Sequence, residues 1–196
     1  MRKISVFIHV SLDGFFAGPN DEIDWFKIIK KDPEWEKHTY RESHSGSTLL
    51  FGRRTYKMMK SYWPTAAGIQ SDPHMAKVMN ESPKIVVSKT LNGVEEHEEN
   101  WKNVTIIRDL NHDTITKLKE EGGGGGTGAI TILGSGSIIQ QLANMGFIDE
   151  YELVVVPIIL GDGKYLFKDV KMTEMNLVES QSFQNGLVSL CYQPAR

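Results

Sequence analysis

Three short segments pair glycine or serine with cationic and hydroxyl residues, and each follows an apolar run. Gly52-Arg53-Arg54-Thr55 follows Thr48–Phe51, Ser88-Lys89-Thr90 follows Ile85–Val87, and Gly134-Ser135-Gly136-Ser137 follows Ala129–Leu133. Glycine lets a backbone approach a ligand with no Cβ in the way, serine hydroxyls add donors, and Arg and Lys recognise phosphate. In an α/β sheet, ligands sit beyond the carboxyl ends of strands, so three such segments at three strand ends describe a site for an anionic nucleotide. Taken singly, each cation also reads as a solvated surface charge, and the Gly134–Ser137 turn also reads as a packing device. Their coincidence favours the anion.

The order of elements around these segments matters as much as their composition. Gly134–Ser137 leaves a strand and enters the helical stretch Ile138–Met145, so its free amides and the helix dipole face the same point. The longer run Gly122–Gly126 has the reverse order, helix then glycines then strand, and reads as a flexible connection.

Apolar patterning supplies the scaffold. Ile4–Val10 has the β-branched and aromatic content of a buried strand, ended by the Asp13-Gly14 turn and the loop at Gly18–Asp21. Asp32 before Pro33 predicts the cap of a helix running to about Ser45, and helices are also expected over Arg53–Tyr62, Pro73–Asn80 and Asn111–Glu121. Further strands are expected at Thr48–Phe51, Lys84–Ser88, Val104–Ile107, Ala129–Leu133 and Tyr151–Leu160. The alternating runs Met175–Phe183 and Leu187–Gln193, joined through Asn185-Gly186, predict an antiparallel hairpin. The acidic segment Glu95–Glu99 reads as a solvated loop.

Composition narrows the function classes. A formal net charge of −3 with no basic stripe argues against a nucleic-acid partner. Leu153–Leu160 is too short to span a bilayer and contains Pro157, and His9 breaks the first apolar run, which therefore reads as a strand and not as a signal peptide. The lone Cys191 reads as a packed thiol, and with it a cytoplasmic location is expected. His9, His38, His44, His74, His97 and His112 show no ligand spacing, so no metal is expected. No repeat or linker divides the chain, and residues 1–196 are expected to form one domain.

Several of these pieces, in order, carry a resemblance over nearly the whole chain. Ser11-Leu12-Asp13-Gly14-Phe15-Phe16-Ala17-Gly18, Phe51-Gly52-Arg53-Arg54-Thr55-Tyr56, Leu133-Gly134-Ser135-Gly136 and Pro157–Gly163 with Leu166-Phe167 resemble motifs of the dihydrofolate-reductase-like family. The closest likeness is to the reductase, C-terminal, domain of the riboflavin-biosynthesis deaminase-reductases. The zinc deaminase signature is absent from these 196 residues, so a reductase without the deaminase half is expected.

The resemblance implies an α/β fold of three layers, α/β/α, with a mixed, mostly parallel central sheet and a C-terminal antiparallel hairpin. It implies an NADPH-dependent reductase acting on a small heterocyclic or ribosylaminopyrimidine-type substrate. By matched position, Arg53 and Thr55 contact the nucleotide phosphates, with Gly52 and Arg54 of the same segment also expected at the cofactor, Ser88 and Lys89 contact the 2′-phosphate region, and Gly134, Ser135, Gly136 and Ser137 the pyrophosphate. Phe16 and Ala17 line the nicotinamide pocket. A cation near the ribose favours a 2′-phosphate where a free diol calls for a carboxylate, hence NADPH over NADH. A homodimer is also implied.

Two departures from the family pattern stand out. Ser135 replaces the second glycine of a cis Gly-Gly peptide, and Gly134-Ser135 is predicted to be cis. No residue is singled out as proton donor: Asp13 and Asp24 are the candidates for the catalytic acid, with Asp32, Glu34 and Glu36 on the following helix also open and Lys164 and Tyr165 near the substrate mouth. Two alternatives therefore stay beside the leading reading, a pterin-reducing enzyme and a nucleotide-binding module without catalysis; a purely structural dimer-forming protein is a third.

Overall fold

The computed structural model describes residues 1–43, 47–91, 101–120 and 128–195. The expected end of the first helix at Ser45, the acidic loop Glu95–Glu99, the Gly122–Gly126 run, His44 and His97 lie outside the described residues.

Strands β1 (Ile4–Ser11), β3 (Thr48–Gly52), β4 (Lys84–Val87), β5 (Val104–Ile107), β6 (Ile130–Ile132), β7 (Glu150–Val156), β9 (Met175–Ser182) and β10 (Val188–Pro194) form one eight-stranded sheet in the order β5-β4-β3-β6-β1-β7-β10-β9. The six strands from β5 to β7 are mutually parallel, and β10 adds antiparallel to β7 and to β9. The sheet is thus mixed and mostly parallel, with the expected C-terminal hairpin at one edge. Its turn holds Gly186 at φ +88°, a conformation that glycine adopts freely. Strand β7 stops at Val156, because Pro157 has no amide to continue the ladder. Strands β2 (Phe15–Ala17) and β8 (Lys164–Tyr165) pair in a separate small ribbon that the sequence patterning did not reveal.

Side chains alternate across a strand, and the alternation sorts the core into layers. Ile4, Val6, Ile8 and Val10 of β1, with Leu50 and Ile85, pack on one face against Ile115 and Leu118 of α5 (His112–Glu120) and Ile138, Ile139 and Leu142 of α6 (Gly136–Asn144). On the opposite face, Leu49, Phe51 and Val86 meet Tyr56 of α2 (Arg53–Tyr62) and Met79 of α4 (Pro73–Glu81). On that face too, Phe7 packs with Trp35 of α1 (Pro33–Ser43), Phe26, Val154 and Phe183. Helices on both faces give the three-layer α/β/α arrangement.

Asp32 caps α1 as expected: its Oδ1 accepts from the Glu34 amide at 2.8 Å, and its Oδ2 accepts from the Asn185 amide at 3.0 Å. Burial pushes this carboxyl up, but the amides of Asn185, Trp35, Glu34 and Gln184 outweigh that and hold it below its ordinary value. The short α3 (Ala66–Ser71) and the 3₁₀ turn Asp24–Ile28 complete the described elements; neither carries an apolar period long enough to be read from sequence.

Candidate active site

Because six adjacent strands are parallel, their C-terminal ends share one edge of the sheet, and β6 sits between β3 and β1. Beyond that edge lies an open cleft of about 540 Å³. Gly52 enters it from β3, Ser88 and Lys89 from β4, Arg108 and Asn111 from β5, and Ser135 and Ser137 from the turn after β6. All three segments singled out by residue type therefore reach one place. The first amides of α6 have no partner within the helix and open onto the same turn.

Two close approaches shape the floor. Gly52 N–H donates to Gly134 O at 2.9 Å, and a Cβ on Gly52 would stand 2.8 Å from Ser135 Oγ. A Cβ on Gly136 would come within 2.5 Å of the Phe16 ring. The Gly134–Ser135 peptide is cis, as expected, and Ser135 Oγ lies 2.8 Å from Ser137 Oγ.

The remaining segment residues take differing positions. Thr55 lies against Gly134, with its Oγ1 3.1 Å from where a Cβ there would stand, and Ala17 is buried in the β2–β8 ribbon. Arg53 Nη1 donates to Thr90 Oγ1 at 2.9 Å, beside Lys89. Ser88 Oγ accepts from the Leu91 amide at 3.0 Å and from the Thr90 amide at 3.3 Å, so it shapes the β4 turn while its own proton stays available. Arg54 Nη1 forms an ion pair with Asp21, which also binds Lys164, and its side chain is exposed.

The two candidate acids sit in different surroundings. Asp13 Oδ1 accepts from Ser11 Oγ at 2.6 Å and from the Leu160 amide at 3.2 Å, and Oδ2 accepts from the Gly161 amide at 2.8 Å. The Ser11 hydroxyl, with these amides, holds the Asp13 carboxyl below its ordinary value. A carboxylate so bound stays ionised and ties the loop after β1 to the loop after β7. Asp24 is exposed at the start of the 3₁₀ turn, Glu34 and Glu36 are exposed on α1, and Tyr165 stacks on Phe15 at 4.2 Å.

Sequence reasoning missed Arg108, Asn111 and Gln141 in the cleft. Arg108 carries the same signal as the others, a cation directly after the apolar strand Val104–Ile107, and its Nη1 donates to the backbone oxygens of Ser88 at 3.1 Å and Leu91 at 2.8 Å. It braces the β4 turn that presents Lys89.

A second polar group lies beneath α1. His38 Nε2 and Glu152 Oε1 are 2.6 Å apart, and Ser189 Oγ donates to the same oxygen at 2.9 Å. His38 Nδ1 and Trp25 Nε1 are buried without a hydrogen-bond partner. Nearby, the His9 ring contacts Phe26 at 5.0 Å and Trp35 at 5.8 Å, and burial pushes its pKa down to about 4 against the opposing pull of Glu152. Among the described residues no group of three or more His, Cys, Asp or Glu side chains could hold a metal, and no helix is long and apolar enough to cross a membrane.

The chain is similar to known proteins over nearly its whole length. The chain is 30% identical over 97% of its length, and 94% of the relative's, to the uncharacterized protein YyaP of Bacillus subtilis (strain 168). It superposes on the putative riboflavin biosynthesis protein of Shewanella sp. PV-4 with a TM-score of 0.76 at 24% identity, covering 100% of both chains. The dihydrofolate reductase of Enterococcus faecalis, solved with NADP(H), shares the fold with a TM-score of 0.61 at 10% identity, over 99% of this chain and 97% of that one. Residues 2–189 match the model of the RibD C-terminal domain, and the chain belongs to that family of NADPH-dependent reductases with a dihydrofolate-reductase-like fold.

Proposed function

We propose that the protein is an NADPH-dependent reductase of a small heterocyclic or ribosylaminopyrimidine-type substrate. The observation that carries this reading is the convergence of four strand ends and the α6 N-terminus on one cleft bearing Lys89 and Arg108. The residues fit the cofactor. Gly52 and Gly136 leave room that a Cβ would fill, the α6 amides and the Ser135 and Ser137 hydroxyls suit a pyrophosphate, and Lys89 suits a 2′-phosphate. When bound, the reduced nicotinamide supplies a hydride to an electron-poor carbon of the substrate. The chain itself orients the two partners: Phe16, packed on Gly136, borders the nicotinamide end, and the Asp13 latch holds the loops on either side of it.

Fluorescence titration with NADPH and NADH tests the reading, with tight binding expected for NADPH alone. Failure of NADPH to bind overturns it. A non-catalytic nucleotide-binding module is favoured by one observation, that Asp13 is held as an anion. Oxidation of NADPH with a ribosylaminopyrimidine or a dihydropterin separates the two, since a module binds without turnover.

A further inference from the structure

Among the described residues that line the cleft, Asp109 is the one carboxylate, and it stands beside two cations, Lys89 and Arg108. Phosphate oxygens repel a carboxylate and offer it no hydrogen-bond donor, so a different part of a bound dinucleotide must meet it. Arg108 does not neutralise it, because its Nη1 is engaged by the backbone oxygens of Ser88 and Leu91.

The surroundings of Asp109 fix its orientation. Asn111 Nδ2 donates to Asp109 Oδ1 at 2.7 Å, and Thr114 Oγ1 donates to the same oxygen at 3.3 Å. Asn111 is itself held, its Oδ1 accepting from the Thr114 amide at 2.8 Å at the start of α5. One oxygen of the carboxylate is thus used within the fold. The other, Oδ2, accepts no hydrogen bond from a described residue.

Position in the sheet decides what that oxygen meets. Strands β3, β4 and β5 lie successively outward from β6, whose following turn suits the pyrophosphate. Neighbouring strands are about 4.8 Å apart, so β5 stands roughly 14 Å from β6. Lys89, suited to the 2′-phosphate, follows β4, whereas Asp109 follows β5, one strand further out. Beyond the ribose that carries that phosphate comes the base. Val87, Leu110 and Ile138 give the same cleft an apolar lining, which suits the face of a flat ring better than a ribose diol.

We infer that Asp109, oriented by Asn111, reads the exocyclic amino group of the cofactor's adenine and selects adenine over a 6-oxo purine. The amino group donates to Oδ2, and a carbonyl oxygen in its place is repelled. The inference rests on the reductase reading and adds a specificity-determining residue to its cofactor site, separate from Lys89.

The hypoxanthine analogue of NADPH differs from it in this group and keeps the same fluorescent nicotinamide, so fluorescence titration of the whole chain with both compounds tests the inference. The wild type binds NADPH about tenfold more tightly than the analogue. In Asp109→Asn the Asn111 amide still requires an oxygen opposite it, so the new Nδ2 takes the place of Oδ2 and sets a donor where an acceptor stood. That variant binds NADPH about tenfold more weakly and the analogue at least as well as the wild type does. It melts near the wild type, because position 109 is exposed. Asp109→Ala offers neither donor nor acceptor, binds the two compounds alike, and carries the test if the asparagine variant folds poorly.

Equal affinities in the wild type, or a preference for NADPH that survives in Asp109→Ala, overturns the inference. So does weakening of both compounds by one factor, which would put Asp109 on the ribose they share. A protein that binds NADPH and the analogue alike loses this inference alone, and one that binds neither loses the reductase reading.

Discussion

Gly52 at the end of β3 lies against Ser135 in the turn before α6, so close that a Cβ on the glycine would stand 2.8 Å from the serine hydroxyl. The contact locks two strand ends, distant in the chain, into one floor. Gly52 has φ −77°, which alanine accepts readily, so its substitution acts through this contact and not through backbone strain. In Gly52→Ala, Ser135 must rotate away from Ser137. NADPH affinity is expected to fall about tenfold, equivalent to ~1.4 kcal/mol, while the melting temperature changes little. Fluorescence titration beside thermal melts reads both.

Lys89 enters the cleft on the turn that Arg108 braces. If it meets the 2′-phosphate, Lys89→Gln weakens NADPH by about tenfold and leaves NADH unchanged, because only NADPH carries that charge. Equal weakening of both dinucleotides would place Lys89 on the shared pyrophosphate.

The ion pairs of Asp21 with Arg54 and Lys164 lie at the surface, with the Arg54 side chain 74% exposed. Exposed pairs contribute little, so Asp21→Ala is expected to cost under about 1 kcal/mol in urea unfolding. A larger loss would show that the loop Gly18–Asp21 is held chiefly by these charges.

His9 gives the pH dependence a sign. Burial lowers its pKa to about 4, while the unfolded chain takes up this proton near the ordinary 6.5. The stability it permits is complete above pH 6.5, declines as the pH falls towards 4, and is lost below that. The loss is on the order of 3 kcal/mol at most. His9→Leu should flatten the melting profile between pH 7 and 4 relative to the wild type, and an unchanged slope would show that His9 titrates in the fold as it does in the unfolded chain.

Much of the fold was legible because its causes are local. Apolar β-branched runs marked the parallel strands, alternation marked the last two, Asp32-Pro33 marked the start of α1, and Asn185-Gly186 marked the turn of the hairpin. The segments Gly52–Thr55, Ser88–Lys89 and Gly134–Ser137 were legible as strand-end segments, because each directly follows an apolar run, and members of all three line one cleft. The ribbon β2–β8 and the turn Asp24–Ile28 were not, because two- and three-residue strands and a single 3₁₀ turn are too short to show a period.

Partner choice was beyond any reading of the chain. Arg54 and Arg53 are neighbours of one type in sequence, yet one is held by Asp21 and the other by Thr90. Asp13 is held by the Ser11 hydroxyl two residues away and also by the amides of Leu160 and Gly161, nearly the whole chain away. His38 meets Glu152 only because α1 lies across β7. Residue types and their local order set the elements. The strand order, with β6 inserted between β3 and β1, set which side chains meet, because hydrogen bonds and desolvation depend on distances in space that chain separation does not encode.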